Sequence, residues 1–308
     1  MTRIALISQS ANLGYFAPLV QAVAPELEVV VWPDPGFREA DVAMCWNAPA
    51  GVYAQMPKLR LVHSIAAGVD NVVAGQDLRG LPVCRVVDPK LADGMVQYVL
   101  WSVLHFHRRF DVALANQRQR VWQRPQQTPA GECRVGLMGL GKLGGAIARS
   151  LLGLGYAVNG WSRSAHAIEG MAMYSGADAF DDFLGASDVL VCVLPLTEAT
   201  RGILGRRTFD ALPRGAAVVN CGRGEHLVAA DLLAAIDSGQ LRGAVLDVFA
   251  SEPLPAEDPL WQAPGVIVTP HMATMASSAV VARQVVDNVR RLDAGEPLLN
   301  VVDMHRGY

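Results

Sequence analysis

Gly139, Gly141 and Gly144 stand in the spacing G-x-G-x-x-G within the stretch LMGLGKLGGAIA. That spacing suits a dinucleotide pyrophosphate when the loop leaves a strand and opens a helix. Gly139 then permits the tight turn, Gly141 lets the backbone approach the phosphates, and Gly144 lets helix and strand pack closely. The phosphates would face the first N–H groups of a helix starting near Lys142, with Leu140 and Leu143 among the loop residues. About 20 residues after such a loop, an NAD site carries Asp or Glu on the ribose 2′-hydroxyl. This chain reads Ser162-Arg163-Ser164 there, in VNGWSRS. An arginine between two hydroxyls suits a 2′-phosphate, which a carboxylate would repel. The expected coenzyme is NADP(H), with NAD(H) as the second possibility.

Further groups follow later apolar runs. VVNCGRGE places Cys221, Gly222 and Arg223 after one run, LDVFASEPLP places Asp247 and Glu252 after the next, and IVTPHMA places His271 after the last. In doubly wound sheets, ligands bind beyond the carboxyl ends of strands. Arg223, Asp247, Glu252 and His271 should therefore face the crevice of the glycine loop. A lone histidine is more often structural, but a His, a Glu and an Arg delivered to one crevice form a candidate site. His105 and His107 are two apart on a helix and do not face one another, so no metal site is expected.

Positioning these groups requires strands and helices in alternation. The apolar runs are IALIS, LEVVVW, DVAMCW and LRLVHSI in the first hundred residues, then RVGLMG, YAVNGW, DVLVCVL, AAVVN, GAVLDVF and VIVTP. Helix-like stretches such as Leu143–Leu154 and Val228–Ser238 separate them. This alternation predicts an α/β chain with two doubly wound parallel sheets and helices on both faces. Residues 92–117 read as one long helix with an apolar stripe, and residues 277–293 read as another. Two long helices flanking the second unit would carry the chain out of the first domain and back. The expected domains are 1–98 plus 272–308, interrupted by a coenzyme domain over 99–271.

Composition narrows the class. The chain has 308 residues, 51% of them hydrophobic, with 26 basic and 29 acidic residues and a net charge of −3. That length suggests about two domains, and no basic stripe points to a nucleic-acid partner. Cys45, Cys84, Cys133, Cys192 and Cys221 are scattered, odd in number and form no CxxC pair, which suits buried thiols in a reducing compartment. No apolar run approaches the ~20 residues that span a bilayer. The expectation is a soluble cytoplasmic protein.

The ordered set AAGVDNV, GLGKLGGAIA, WSRS, VLPLTEAT, NCGRGEHL, LDVFASEPLP and TPHMA resembles the D-isomer-specific 2-hydroxyacid dehydrogenase family, and within it the glyoxylate/hydroxypyruvate reductase A group. The resemblance covers almost the whole chain. It implies a Rossmann coenzyme domain inserted into a flavodoxin-like substrate domain, and a homodimer. It places the family's catalytic Arg, Glu and His on Arg223, Glu252 and His271, and WSRS matches the NADPH-preferring group. Many relatives read A-R-G where this chain has Cys221-Gly222-Arg223-Gly224, and many have a small branched residue at the position of Met272.

The implied activity is NADPH-dependent reduction of a small 2-oxo acid, with glyoxylate and hydroxypyruvate as substrates and glycolate and D-glycerate as products. His271 would donate the proton, Glu252 would fix its tautomer, and Arg223 would bind the carboxylate and polarise the keto oxygen. Ala67, Gly68 and Val69 would offer N–H groups to the carboxylate. Leu194, Pro195 and Thr200 fall in the coenzyme segment, and Asp247 would touch the nicotinamide carboxamide. Trp46, at the end of a first-domain strand, is a candidate pocket wall and equally a candidate core residue.

Other readings stay open. Another 2-oxo acid is one. A regulator that binds NADP and has lost the chemistry is another, and the intact Arg223, Glu252 and His271 argue against it. A short-chain dehydrogenase needs Tyr-x-x-x-Lys, and the lysines here, Lys58, Lys90 and Lys142, do not supply it. No lysine follows Lys142 to serve as the base of a β-hydroxyacid dehydrogenase.

Overall fold

The computed structural model describes residues 1–88, 90–162 and 168–303. Two sheets form within it, each wholly parallel. The first contains β1 (Arg3–Ile7), β2 (Glu28–Val31), β3 (Val42–Cys45), β4 (Leu61–Ser64) and β5 (Val83–Cys84) in the order β2-β1-β3-β4-β5. This is the flavodoxin-like order. VAMC and LVHS are buried at every position, as expected of strands covered on both faces. Helices Phe16–Val23 and Ser278–Ala294 cover one face through Phe16, Val20, Val281, Val285 and Val289. Phe37, Tyr53 and Met56 fill the other.

The second sheet contains β6 (Arg134–Met138), β7 (Ala157–Ser162), β8 (Ala172–Ser175), β9 (Val189–Cys192), β10 (Ala216–Asn220), β11 (Leu241–Leu246) and β12 (Val266–Val268). Its order is β12-β11-β10-β9-β6-β7-β8, with every pair parallel. Counted from β6, this is the Rossmann order with one strand added, and it reverses between β6 and β9. The edge strand β8 and the two-residue β5 have no counterpart among the apolar runs. AMYS is only partly buried, and two residues are too few to show a period.

The chain divides into two compact units, Met1–Leu91 with the segment from Met275 onward, and Ala92–Thr274 between them. The changeover at 91/92 precedes the expected 98/99 because Met95, Val99, Val103 and Phe106 pack into the core beneath the second sheet. The single helix expected over 92–117 is corrected to two, Lys90–His107 and Phe110–Gln119. Arg109 breaks the run with a left-handed backbone (φ 59°). The Arg242 guanidinium fills the break, donating to the Phe106 carbonyl that ends the first helix and pairing with Asp111 in the first turn of the next. Long-range pairing overrides a continuous helical pattern here.

Candidate active site

The glycine loop leaves the buried strand β6 and opens the helix Lys142–Gly153. Gly139 has φ +101°, and a Cβ there would lie 3.0 Å from the Val193 carbonyl oxygen just beyond β9. The turn thus sits where the sheet order reverses. A Cβ at Gly144 would overlap the Gly139 carbonyl oxygen, so the helix seats against the strand only with glycine at that place. A Cβ at Gly141 would meet no protein atom within 4 Å. Gly141 caps the helix without a side-chain bond, and no acidic residue stands in its first turn. An N-terminus of this kind suits an anion, because aligned N–H dipoles face outward and nothing negative competes. Leu140 and Leu143 pack partly against the core, and Lys142 is exposed. Ser162 ends β7, buried and opposite Ser175. Arg163 and Ser164 lie outside the described residues.

Beyond β10, Asn220 shapes the arginine loop. Its side-chain oxygen accepts from the Gly222 N–H (3.1 Å) and its amide donates to the Arg223 carbonyl (3.0 Å). The glycines flanking Arg223 have steric reasons. A Cβ on Gly222 would meet His226 Nδ1 at 2.7 Å and the Leu194 carbonyl at 3.1 Å, and one on Gly224 would overlap the Phe249–Ala250 backbone. The arginine loop is therefore wedged between the Leu194 segment and the segment that leads to Glu252. Cys221 is buried, which pushes its thiol well up, so it is inert packing. Thr200 closes the neighbouring turn by donating to the Pro195 carbonyl (2.9 Å) and accepting from the Thr197 N–H (2.8 Å).

Glu252 and His271 meet directly. His271 Nδ1–H donates to Glu252 Oε2 at 2.8 Å, and the other carboxylate oxygen accepts from the Phe249 N–H at 3.0 Å. An ionised carboxylate only accepts, so Nδ1 carries the proton and Nε2 is left as the nitrogen for exchange with a ligand. Burial works against ionising Glu252. The bonds from His271 and Phe249 and the charges of His271 and Arg223 outweigh it and hold the carboxyl below its ordinary value. Each side chain is 30% exposed, so the pair is open enough for a ligand.

His271 has a left-handed backbone (φ 52°), uncommon for a residue other than glycine. Asp247 holds that turn. Its backbone carbonyl accepts from the His271 N–H (2.9 Å), and its carboxylate accepts from the Met272 and Ala273 N–H groups and the Thr269 hydroxyl. The Thr269 hydroxyl in turn meets the Tyr98 hydroxyl at 2.5 Å. Burial raises Asp247 above its ordinary value, opposed by these donors. Asn220, Thr269 and Tyr98 were not singled out in the sequence. Asn220 and Thr269 lie within the NCGRG and TPHMA motifs, which was the signal for those two, and Tyr98 had none.

The residues expected to bind substrate in the first unit lie at its strand ends. Trp46 follows β3, half-buried, and packs against the sheet core. Ala67, Gly68 and Val69 follow β4 in a loop held by the Ser64 hydroxyl, which donates to the Gly68 carbonyl (2.7 Å) and accepts from the Ala66 N–H (3.1 Å). His107 is bonded through both ring nitrogens, to Tyr156 and the Thr128 carbonyl. No group of His, Cys, Asp or Glu suited to a metal occurs among the described residues. All five cysteines are buried and free, and no helix among the described residues is long and apolar enough to cross a membrane.

A family model described as the NAD binding domain of D-isomer specific 2-hydroxyacid dehydrogenase matches residues 100–273. A glyoxylate/hydroxypyruvate reductase A from Salmonella newport is 36% identical over 303 residues, covering 96% of this chain and 97% of that protein. A crystal structure of a D-isomer specific 2-hydroxyacid dehydrogenase family protein from Klebsiella pneumoniae 342 shares 45% identity at a TM-score of 0.89, covering 99% of this chain and 98% of the other. The NADPH-dependent glyoxylate/hydroxypyruvate reductase of Sinorhizobium meliloti, solved with NADP and sulfate, shares 36% identity at a TM-score of 0.86, with 100% of both chains covered. With its glycine loop at the sheet reversal and its paired His271 and Glu252, the chain belongs to the D-isomer specific 2-hydroxyacid dehydrogenase family and is an oxidoreductase.

Proposed function

We propose that this oxidoreductase uses NADPH to reduce small 2-oxo acids, glyoxylate and hydroxypyruvate, to glycolate and D-glycerate. The observation that carries the reading is the 2.8 Å bond from His271 to Glu252 at the strand ends of a sheet whose first turn is the glycine loop. The activities named for the Salmonella and Sinorhizobium relatives and the NADP bound to the latter support the choice of substrate and coenzyme.

Gly139, Gly141 and the start of the helix Lys142–Gly153 would hold NADPH, which would supply the hydride for the keto carbon. Leu194, Pro195, Cys221, Gly222 and Asp247 would complete its contacts, and Ser162, Arg163 and Ser164 would receive the 2′-phosphate. Arg223 binds the substrate carboxylate and draws charge onto the keto oxygen, a task suited to a planar fork of donors. His271 Nε2 gives its proton to that oxygen as the alkoxide develops. Glu252 keeps Nδ1 protonated throughout and stabilises the imidazolium before transfer. The neutral ring then regains a proton from solvent. Ala67, Gly68, Val69 and Trp46 are assigned to the substrate. The N–H groups of Ala67, Gly68 and Val69 meet no acceptor among the described residues, which suits a carboxylate.

The same reading makes the protein a homodimer. Its support is apolar surface on and just after the two helices, where Trp101, Phe110, Leu114 and Val121 are exposed and Trp122 wholly so. Steady-state oxidation of NADPH and NADH with a panel of 2-oxo acids tests the proposal. Turnover of glyoxylate and hydroxypyruvate with preference for NADPH is expected. NADPH binding without turnover of any acid would leave a coenzyme-binding regulator instead.

A further inference from the structure

We infer that His226 is a positioning residue that ties the arginine loop beyond β10 to the Pro195 turn beyond β9, setting the place of Arg223 and the coenzyme channel together. The inference rests on the proposed roles of Arg223 and Pro195. His226 is fully buried, and the catalytic scheme above does not use it.

The Arg223 N–H donates to His226 Nδ1 at 3.0 Å. Nδ1 is thereby the unprotonated nitrogen, and the proton sits on Nε2, 3.3 Å from the Pro195 carbonyl. One imidazole ring therefore joins two loops with a distinct nitrogen for each. The Pro195 oxygen also receives the Thr200 hydroxyl, so the ring bears on the whole turn. A Cβ on Gly222 would lie 2.7 Å from Nδ1, so the ring packs directly against that glycine. Backbone bonds fix His226 at both ends, from its N–H to the Arg223 carbonyl (3.2 Å) and from the Leu204 N–H to its own carbonyl (2.8 Å). Burial foremost, with Arg223 and Arg201 adding to it and the Pro195 carbonyl and Glu225 opposing, keeps the ring below its ordinary pKa and neutral. A neutral ring is what the arrangement needs, because a protonated Nδ1 could not accept from Arg223.

Two near-isosteres separate the two bonds. The side-chain oxygen of asparagine can stand where Nδ1 stands, but it reaches no further. The amide nitrogen of glutamine can reach the place of Nε2, with no acceptor left at Nδ1. The readouts are the dissociation constant for NADPH, followed by fluorescence, the affinity of the NADPH complex for oxamate, an unreactive 2-oxo acid analogue, and KM for glyoxylate. His226→Gln should weaken oxamate and raise KM about tenfold while NADPH binding stays within about twofold, as for loss of one part-buried bond. His226→Asn should show the opposite split, weakening NADPH about three- to tenfold and sparing oxamate. Equal shifts of both constants in both variants, or no shift in either, would overturn the inference and leave His226 as packing. If one variant does not fold, the split in the other decides. If the wild type binds NADPH but neither binds oxamate nor reduces any 2-oxo acid, the proposed function falls. The coupling then stands or falls on whether asparagine weakens NADPH more than glutamine does.

Discussion

Each sheet begins with a strand, a turn and a helix, at the point where its strand order reverses, yet the two turns are made differently. After β1, side chains of the turn Ser8–Tyr15 accept from three of its own N–H groups. The Ser8 hydroxyl accepts from Ser10 and Ala11, and the Asn12 side chain accepts from Gly14. Both helices begin without a side-chain cap, but after β6 the turn itself carries Gly139 and Gly141. Serine and asparagine side chains fold back onto the first turn, while in the second a Cβ at Gly141 would meet no protein atom within 4 Å, which leaves room beside the backbone. Topology offers both sheets a ligand crevice, and local sequence decides which one takes a phosphate.

The largest test of this contrast removes the chemistry of the second unit and leaves its loop intact. His271→Ala should lower kcat for glyoxylate about 10²–10⁴-fold, the range for a lost acid–base group. NADPH affinity should hardly change. Turnover near the wild-type rate would remove His271 from the mechanism. Next comes Arg223→Lys, in which a point charge replaces a fork. It should lose about one to two decades in kcat/KM across the 2-oxo acids, and an unchanged value would refute the clamp.

Paired glycine substitutions compare the turns directly. Gly144→Ala drives a methyl into the Gly139 carbonyl and should weaken NADPH binding at least about tenfold, with stability lowered by about 1–3 kcal/mol of overpacking. Gly14→Ala meets side chains alone, Asn12 Oδ1 at 3.0 Å and Val31 Cγ2 at 3.8 Å, and should leave NADPH binding unaltered. Equal losses in both would erase the distinction. Arg163→Asp sharpens it at the 2′-phosphate. A charge-assisted contact contributes about 1.5–3 kcal/mol, so the NADPH-to-NADH ratio of kcat/KM should fall by about one to two decades. A ratio that does not move would place the 2′-phosphate elsewhere, with Arg149 and Lys142 next to be tested.

The smallest effect on catalysis, and a clear one on stability, lies in the first unit. His63 on β4 is fully buried, and burial lowers its pKa from 6.5 to about 4, opposed by its bond to the Ser64 carbonyl. The unfolded chain therefore takes up this proton first as the pH falls. Stability is lost between pH 6.5 and about 4 and is level below that. The loss approaches about 3 kcal/mol. Urea midpoints measured across that range should fall, and His63→Gln should flatten the slope. An unchanged slope would show that other groups carry the acid sensitivity.

Much of this was legible beforehand because it is local. The order of apolar runs matched the strands beginning at Arg3, Val42, Leu61, Arg134, Val189, Ala216 and Leu241, since strands buried on both faces are written as continuous apolar residues. The glycine spacing was legible because all three glycines fall within six residues of a single strand–helix turn, although only Gly144 answers a contact inside that turn. The break at Arg109 was not, because it depends on Arg242, 133 positions further along, in contact with Phe106 and Asp111. Nor was the role of Asp247 in holding the His271 turn. Its partners Met272 and Ala273 lie on a different strand end, and nothing in LDVF marks its oxygens as accepting from them.

By itself the sequence determined the class of fold, the glycine loop and the residue types that could carry a hydride-coupled proton transfer. Composition, period and motif spacing all act over a few residues, and the chain displays them in order. Only the tertiary structure decided that His271 points Nδ1 at Glu252, that Asn220 and His226 shape the arginine loop, and that the glycines beside Arg223 are required by the Leu194 and Phe249 segments. Those facts depend on which strand ends lie side by side. Strand order is set by burial of whole sheets and by crossover connections, not by any short stretch of the chain.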